Sequence, residues 1–492
     1  MTRNLAIAVV ALALGACSVT TEPLTQAELA QNAESSLAAV TADQQPVTNA
    51  ISLYEAMARA LKYNLDHRVE LMAKALADSK LALATTDMLP SLAANGGWSG
   101  RHPKSYSYSE TLSGVRSVDP STSSDSSSVV KDLTFSWNIL DFGLSYVRAK
   151  QASDRALLAE EQRRKVINTI IEDVRTAYWR SVSADRLLAG FKKLEARVER
   201  AIGNARALRS QGYTSPVAAL TFQRELVEIK RKIQRFEIEL RTSKIQLAAL
   251  MNLDPSTPYD LVIPRRDLSS VALAIPSQEM VRLAFLNRPE LRENAYKQRI
   301  NSREAEAALL ELLPGIQLYA GANFDSNSFL LDNNWVSWGA KAGWNAMRLF
   351  AYPAKKQVLG SESALISQQT LATSMAIMTQ VEVARLRYAH LRKAAATSGE
   401  YYKLQSDILR QVRASAGADA ASEQSAIREE MNTLVASVEY DMTYADLQNA
   451  FAGIYASIGV DPWGDSLDTN LPVEELAANL RKTWRERGDV DG

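Results

Sequence analysis

Three histidines, at 67, 102 and 390, and a single cysteine, Cys17, are the side chains of this 492-residue chain best suited to metal ligation, neutral-pH proton transfer or thiol chemistry. They are scattered, and no HExxH, glycine-rich phosphate loop or Cys/His cluster accompanies them. The paired carboxylates Glu160-Glu161 and Glu429-Glu430 lie in helical stretches among basic residues, where a solvated face accounts for them. No enzyme chemistry, metal or cofactor is therefore expected. Charges balance at 56 basic against 56 acidic residues, which removes the electrostatic basis for a nucleic-acid partner.

A lone cysteine cannot close an internal disulfide, so Cys17 needs another role. Arg3 and the apolar run Leu5 to Leu14 have the make-up of a secretory signal and are too short to span a bilayer. Leu14-Gly15-Ala16-Cys17 resembles a lipobox, which makes residues 1–16 a cleaved signal peptide and Cys17 the lipidated, palmitate-bearing start of a segment running to residue 50. In such lipoproteins an Asp after the cysteine favours retention at the inner membrane; Ser18 points to the outer one.

The elements that follow are dominated by helix. No proline interrupts residues 121–215 or 354–461, which permits very long helices. Leu226, Ile229, Ile233, Phe236, Leu240, Ser243, Leu247 and Leu250 alternate spacings of three and four, a coiled-coil seam. Similar seams run from Ile167 to Phe191 and from Met431 to Ala445. Residues 144–211 form one continuous helical tract, about 100 Å long at ~1.5 Å per residue. Gly212 stops it, and Ser215-Pro216 starts the return helix.

The chain also repeats itself. "ISLYEAMARALKYN" (51–64) matches "PSQEMVRLAFLNRPEL" (276–291), with Asn64 answering Asn287. "MLPSLAANGGW" answers "LLPGIQLYAGANF", "SWNILDFG" answers "GWNAMRLF", and "LMNLDP" answers "SIGVDP". Each half contains a pair of amphipathic strands, 91–101 with 128–141 and 315–325 with 335–345, about the length that crosses a bilayer when tilted. Trp98, Trp137, Trp335, Trp338 and Trp344 cluster there as an expected interfacial girdle. Residues 118–128 form a polar, mobile external loop. Four strands cannot close in lipid, so further strands must come from other copies.

In these motifs and their duplicated order, residues 50–462 resemble the TolC-like outer-membrane efflux proteins. The resemblance implies a mainly α fold with membrane β: a long coiled-coil barrel of helices plus a β-barrel completed by trimerisation, twelve strands from four per chain. Repeats of 51–262 and 263–462 would precede a polar tail, 463–492. It implies a homotrimeric lipid-anchored channel of the bacterial outer membrane. That channel is the exit duct of a tripartite efflux or type I secretion system, partnered by a periplasmic adaptor and an inner-membrane transporter. Carried onto this sequence, the adaptor-facing hairpin tips hold Arg209, Gly212, Thr214, Arg413 and Gly417, and the periplasmic gate holds Asp419 and Glu423. The family's glycine turn into the long helix is kept at Asp141-Phe142-Gly143 but not at Arg348–Pro353. The competing reading is a non-porous, lipid-anchored coiled-coil spacer of the envelope.

Overall fold

A duplicated chain repeats its elements in the same order, and this one does. The computed structural model describes residues 22–42, 44–210, 216–266, 275–415, 420–464 and 467–487. The first repeat runs α2 (Leu53–Tyr63), α3 (Leu65–Thr86), β1 (Ser91–Gly100), β2 (Ser127–Asn138), α4 (Ile139–Ser210) and α5 (Pro216–Leu250), preceded by α1 (Gln26–Val40). The second runs α6 (Ser277–Asn287), α7 (Pro289–Leu310), β3 (Gly315–Asp325), β4 (Asn334–Gly343), α8 (Arg348–Ser415) and α9 (Ala420–Ser457), followed by α10 (Val473–Glu486). Helices α2 and α6 both have 11 residues, and α3 and α7 both have 22.

The repeats solve the same local problems with different residues. Between α2 and α3, Asn64 accepts from the backbone N–H groups of Asp66 and His67, and its Nδ2 donates to the Leu250 carbonyl at 3.1 Å. The matching junction residue is Arg288, not Asn287: Pro289 opens α7, and Arg288 Nη1 donates to the Ala456 carbonyl at 3.1 Å. Helix α5 ends on Asn252 at φ 58°, α9 on Gly459 at φ 74°. Both ends have the same pair of reverse hydrogen bonds, Leu253 N to Ala248 O and Val460 N to Tyr455 O closing the wider turn of each. Gly459 has no alternative, because a Cβ there would lie 2.7 Å from the backbone at Asn287 and Arg288.

The long helices exceed expectation. Helix α4 has 72 residues, about 110 Å at ~1.5 Å per residue, and α8 has 68. The helix starts at Ile139 rather than Leu144, so residues 139–141 are not strand and the Asp-Phe-Gly sequence is helical, not a turn. Asn138 causes this: its side chain accepts from Leu140 N at 3.0 Å and Asp141 N at 3.3 Å, capping the helix at the last strand residue. The seams hold as read. Leu226, Ile233 and Leu240 are buried with Phe191, Leu194 and Val198 between α4 and α5, Leu247 is buried in the main core, and Ser243 survives in its seam by donating to the Glu239 carbonyl. Met442 is the exception in the third seam, being exposed.

The main core sits midway along α4 and in the C-terminal half of α9, where α2 and α10 pack against the first repeat and α6 packs on α8. The C-terminal segment is polar in composition but not a loose tail. Val473, Leu476, Leu480 and Trp484 bury one face of α10 against α2 and α4. The guanidinium groups of Arg175 and Arg487 both lie over the Trp484 ring, at 4.5 Å and 5.1 Å from its centre. The external loop also differs from expectation. Residues 101–126 form a ribbon with bridges Ser107–Ser121 and Glu110–Arg116, and Arg116 stacks on Tyr108 at 4.4 Å.

Candidate functional site

The four strands form one antiparallel sheet in the order β1-β2-β3-β4, so the second strand of one repeat pairs with the first of the next. Residues directly opposite share a face, and the register therefore sorts every side chain. One face carries Leu92, Ala94, Trp98, Leu133, Phe135, Trp137, Leu318, Ala320, Ala322, Val336, Trp338 and Ala340. The other carries Ser91, Asn95, Asp132, Thr134, Ser136, Gln317, Asn323, Ser337 and Lys341. Along β2, Asp132, Thr134 and Ser136 are half-buried while Leu133 and Phe135 are exposed. The sheet thus curves with its polar face inward. Trp335 shares that concave face with Asn323, so it does not belong to the outer girdle expected from sequence.

The sheet is also unfinished. In this chain β1 and β4, ten residues each, pair on one side only, and their antiparallel directions suit them to one another. Open edges beside an apolar convex face are untenable in water and in lipid alike.

The helical wall below is unfinished in the same way. Helix α7 packs on both α4 and α8, whereas its counterpart α3 packs on α4 without a second long helix beside it. Leu65, Val69, Met72, Leu76 and Leu83 follow a three-four spacing along α3, and all are exposed. Helix α8 has its own exposed row including Leu371, Met375, Met378 and Leu386. The chain exposes 30072 Å² in total. A compact monomer of 54.1 kDa exposes about 18,000 Å².

Of the residues expected at the hairpin tips and gate, Arg413 is defined: its guanidinium meets Glu430 on α9 at 3.2 Å. Arg197 on α4 meets the same carboxylate at 2.6 Å, so Glu430 ties both hairpins together. Arg209 falls on the last turn of α4 and Glu423 on the first turn of α9. Gly212, Thr214, Gly417, Asp419 and Cys17 lie outside the described residues. The carboxylate pairs are not merely solvated, as sequence suggested: Glu160 binds Arg163 at 2.7 Å, and Glu161, 6% exposed, binds Arg164 at 2.5 Å.

Two further constellations went unread in the sequence. The segment joining the repeats crosses α4 and α9 at Asp441, which is 4% exposed. Arg266 of that segment meets Asp441 Oδ1 at 2.6 Å, Arg186 of α4 meets the same oxygen, and Arg186 Nη2 donates to the Pro264 carbonyl at 2.8 Å. Arg266 also stacks on Tyr440 at 4.6 Å and Tyr402 at 5.3 Å.

The second constellation is at His67, buried between α3 and α4, whose Nδ1 donates to the Leu61 carbonyl at 2.7 Å while Nε2 faces Arg163 Nη1 at 3.4 Å. Burial lowers its pKa from 6.5, and Arg163 adds to this; the Leu61 carbonyl and Glu160 oppose it. With the folded value below the unfolded one, its contribution is complete above pH 6.5 and is lost as pH falls toward the folded value. Unfolding midpoints measured across that window should drop with pH, and His67→Gln should flatten the drop; an equal slope in both proteins would refute the assignment.

Among the described residues no group of three or more His, Cys, Asp or Glu could hold a metal ion, and no helix is long and apolar enough to cross a membrane.

Residues 56–253 match the model of the outer membrane efflux protein family. No curated protein matches the chain. Among solved structures, the Campylobacter jejuni CmeC outer membrane channel aligns over 95% of this chain and 98% of its own, with TM-score 0.62 and 13% identity. A membrane protein from Pseudomonas aeruginosa aligns over 85% and 92%, with TM-score 0.65 and 16% identity. The open state of the Neisseria gonorrhoeae MtrE outer membrane channel aligns over 83% and 89%, with TM-score 0.59 and 18% identity. The fold is therefore that of outer-membrane channels.

Proposed function

We propose that this chain, whose residues 56–253 match the outer membrane efflux protein family and whose fold is that of outer-membrane channels, is a channel subunit, three copies of which close into the exit duct of a tripartite export machine. The observation that carries this is the sheet: amphipathic, curved with its polar face inward, and open at both edges. Pairing β4 of one copy with β1 of the next gives a twelve-stranded barrel with a wet interior in the outer membrane. The same rotation brings the exposed row of α3 toward α8 of the neighbour, completing in trans what α7 already does in cis.

The long hairpins then extend into the periplasm. Their tips, with Arg209, Gly212, Thr214, Arg413 and Gly417, meet a periplasmic adaptor, and the inner-membrane transporter lies beyond it. Asp419 and Glu423 line the gate, and the clasp of Glu430 with Arg197 and Arg413 supports this by tying the hairpins together just above them. Lipidated Cys17 anchors each chain to the outer membrane. A pore-free spacer would leave the polar concave face without a role.

Electron microscopy of the detergent-solubilised protein tests the reading. Threefold cylinders longer than about 100 Å are expected from the helix length. Thin rods without a barrel cap would overturn the duct and favour the spacer.

A further inference from the structure

We infer that Asp132 gives the membrane portion of the duct a preference for cations over anions. The inference rests on the trimeric barrel proposed above. The register sets Asn95, Asp132, Asn323 and Trp335 side by side across the four strands, in one row of the concave face that is mid-strand in β1 and β2 and near the strand ends in β3 and β4. Asn95 Nδ2 donates to Asp132 Oδ1 at 2.9 Å, and the Thr134 hydroxyl donates to the same oxygen at 2.9 Å. Both donors are neutral, so they fix the carboxylate in place and leave its charge intact. Lys131, the next residue in sequence, lies on the convex face over the Phe324 ring at 5.9 Å and cannot neutralise it from inside.

Two other charges lie on the concave face, Asp325 one row beyond that of Asp132 and Lys341 toward the opposite end. Asp325 is the last residue of β3, where it accepts from Asn327 N at 2.9 Å, and Lys341 lies near the other end, opposite Gln317. Two aspartates against one lysine leave each copy of this face net negative, with Asp132 as its mid-height charge.

Twelve strands about 4.8 Å apart and tilted about 40° enclose a bore about 12 Å in radius. A carboxylate reaching ~4 Å in from the wall is ~8 Å from the axis, one Debye length at physiological salt. Every ion in the bore therefore passes within the field of three symmetry-related charges, which raises local cation concentration and lowers that of anions.

Single-channel recording of the purified protein in planar bilayers, under a KCl gradient, tests this with two variants. Asp132→Asn preserves the side-chain shape, and Asp132→Lys inverts the charge. The parent protein should be cation-selective, Asp132→Asn should shift the reversal potential toward zero, and Asp132→Lys should shift it past zero to anion preference. A conducting Asp132→Lys channel with the parent's reversal potential would overturn the inference and leave selectivity to the hairpin end. Threefold particles of the parent that never conduct would instead overturn the duct reading, and the inference with it.

Discussion

Asp441→Ala is expected to destabilise the protein by about 3–5 kcal/mol, the cost of leaving a buried cationic partner uncompensated. Asp441 holds Arg186 and Arg266 together, and both arginines are largely buried at that point. Removing the carboxylate leaves two facing guanidinium groups and frees the inter-repeat segment, whose path over α4 also depends on the Arg186 contact to Pro264. The site is far from the sheet and from the hairpin tips, so the loss should appear as stability rather than as altered conductance. Denaturant unfolding of the solubilised protein, followed by circular dichroism, checks it. A midpoint equal to the parent's would mean that the carboxylate does not bridge the repeats in solution. Asp441→Asn, which retains the shape without the charge, should lose most of the same stability.

Placing arginine at two consecutive alanines of β1 should give opposite outcomes. Ala94 faces Leu133 on the convex side and Ala93 faces Thr134 on the concave side. A cation at mid-bilayer on a lipid-facing position costs about 2–4 kcal/mol. Closure of the barrel incurs that cost once per subunit, so Ala94→Arg should sharply reduce the assembled, membrane-inserted fraction. Ala93→Arg, one residue away on the wet side, should assemble and insert. Membrane fractionation followed by semi-native electrophoresis reads both proteins. Equal behaviour would mean that the two faces have not been told apart correctly, and the barrel proposal would fail with them.

Much of the architecture was legible because it depends on local period. Alternation along residues 316–324 gave the strand and its two faces, and three-four spacing from Leu226 to Leu250 gave the coil. What escaped has no period. The start of α4 turns on one asparagine side chain, Asn138, folding back on the next backbone amides. The Arg186–Asp441–Arg266 group joins residues more than 70 positions apart, and nothing near any of them in sequence announces the others. The amphipathic stretch from Val473 to Trp484 was visible, but its partner surface on α2 and α4 was not, because composition says which face is apolar and never what covers it. The gate residues are a different case: the sequence nominated Asp419 and Gly417 through the family resemblance, and they remain a proposal.

The pairing of β2 with β3 is the same antiparallel contact that closure requires between β4 and β1. In the proposed trimer six equivalent repeats build the wall, yet only three separate molecules must find one another. Each association in a series carries a translational and rotational penalty of about 4–15 kcal/mol. Six single-repeat chains would meet that penalty five times; three duplicated chains meet it twice. Covalent linkage also frees the two members of each pair to diverge, which is how one helix can end on Asn252 and its twin on Gly459 within the same turn. The gene duplication written into this chain is, in thermodynamic terms, an assembly aid.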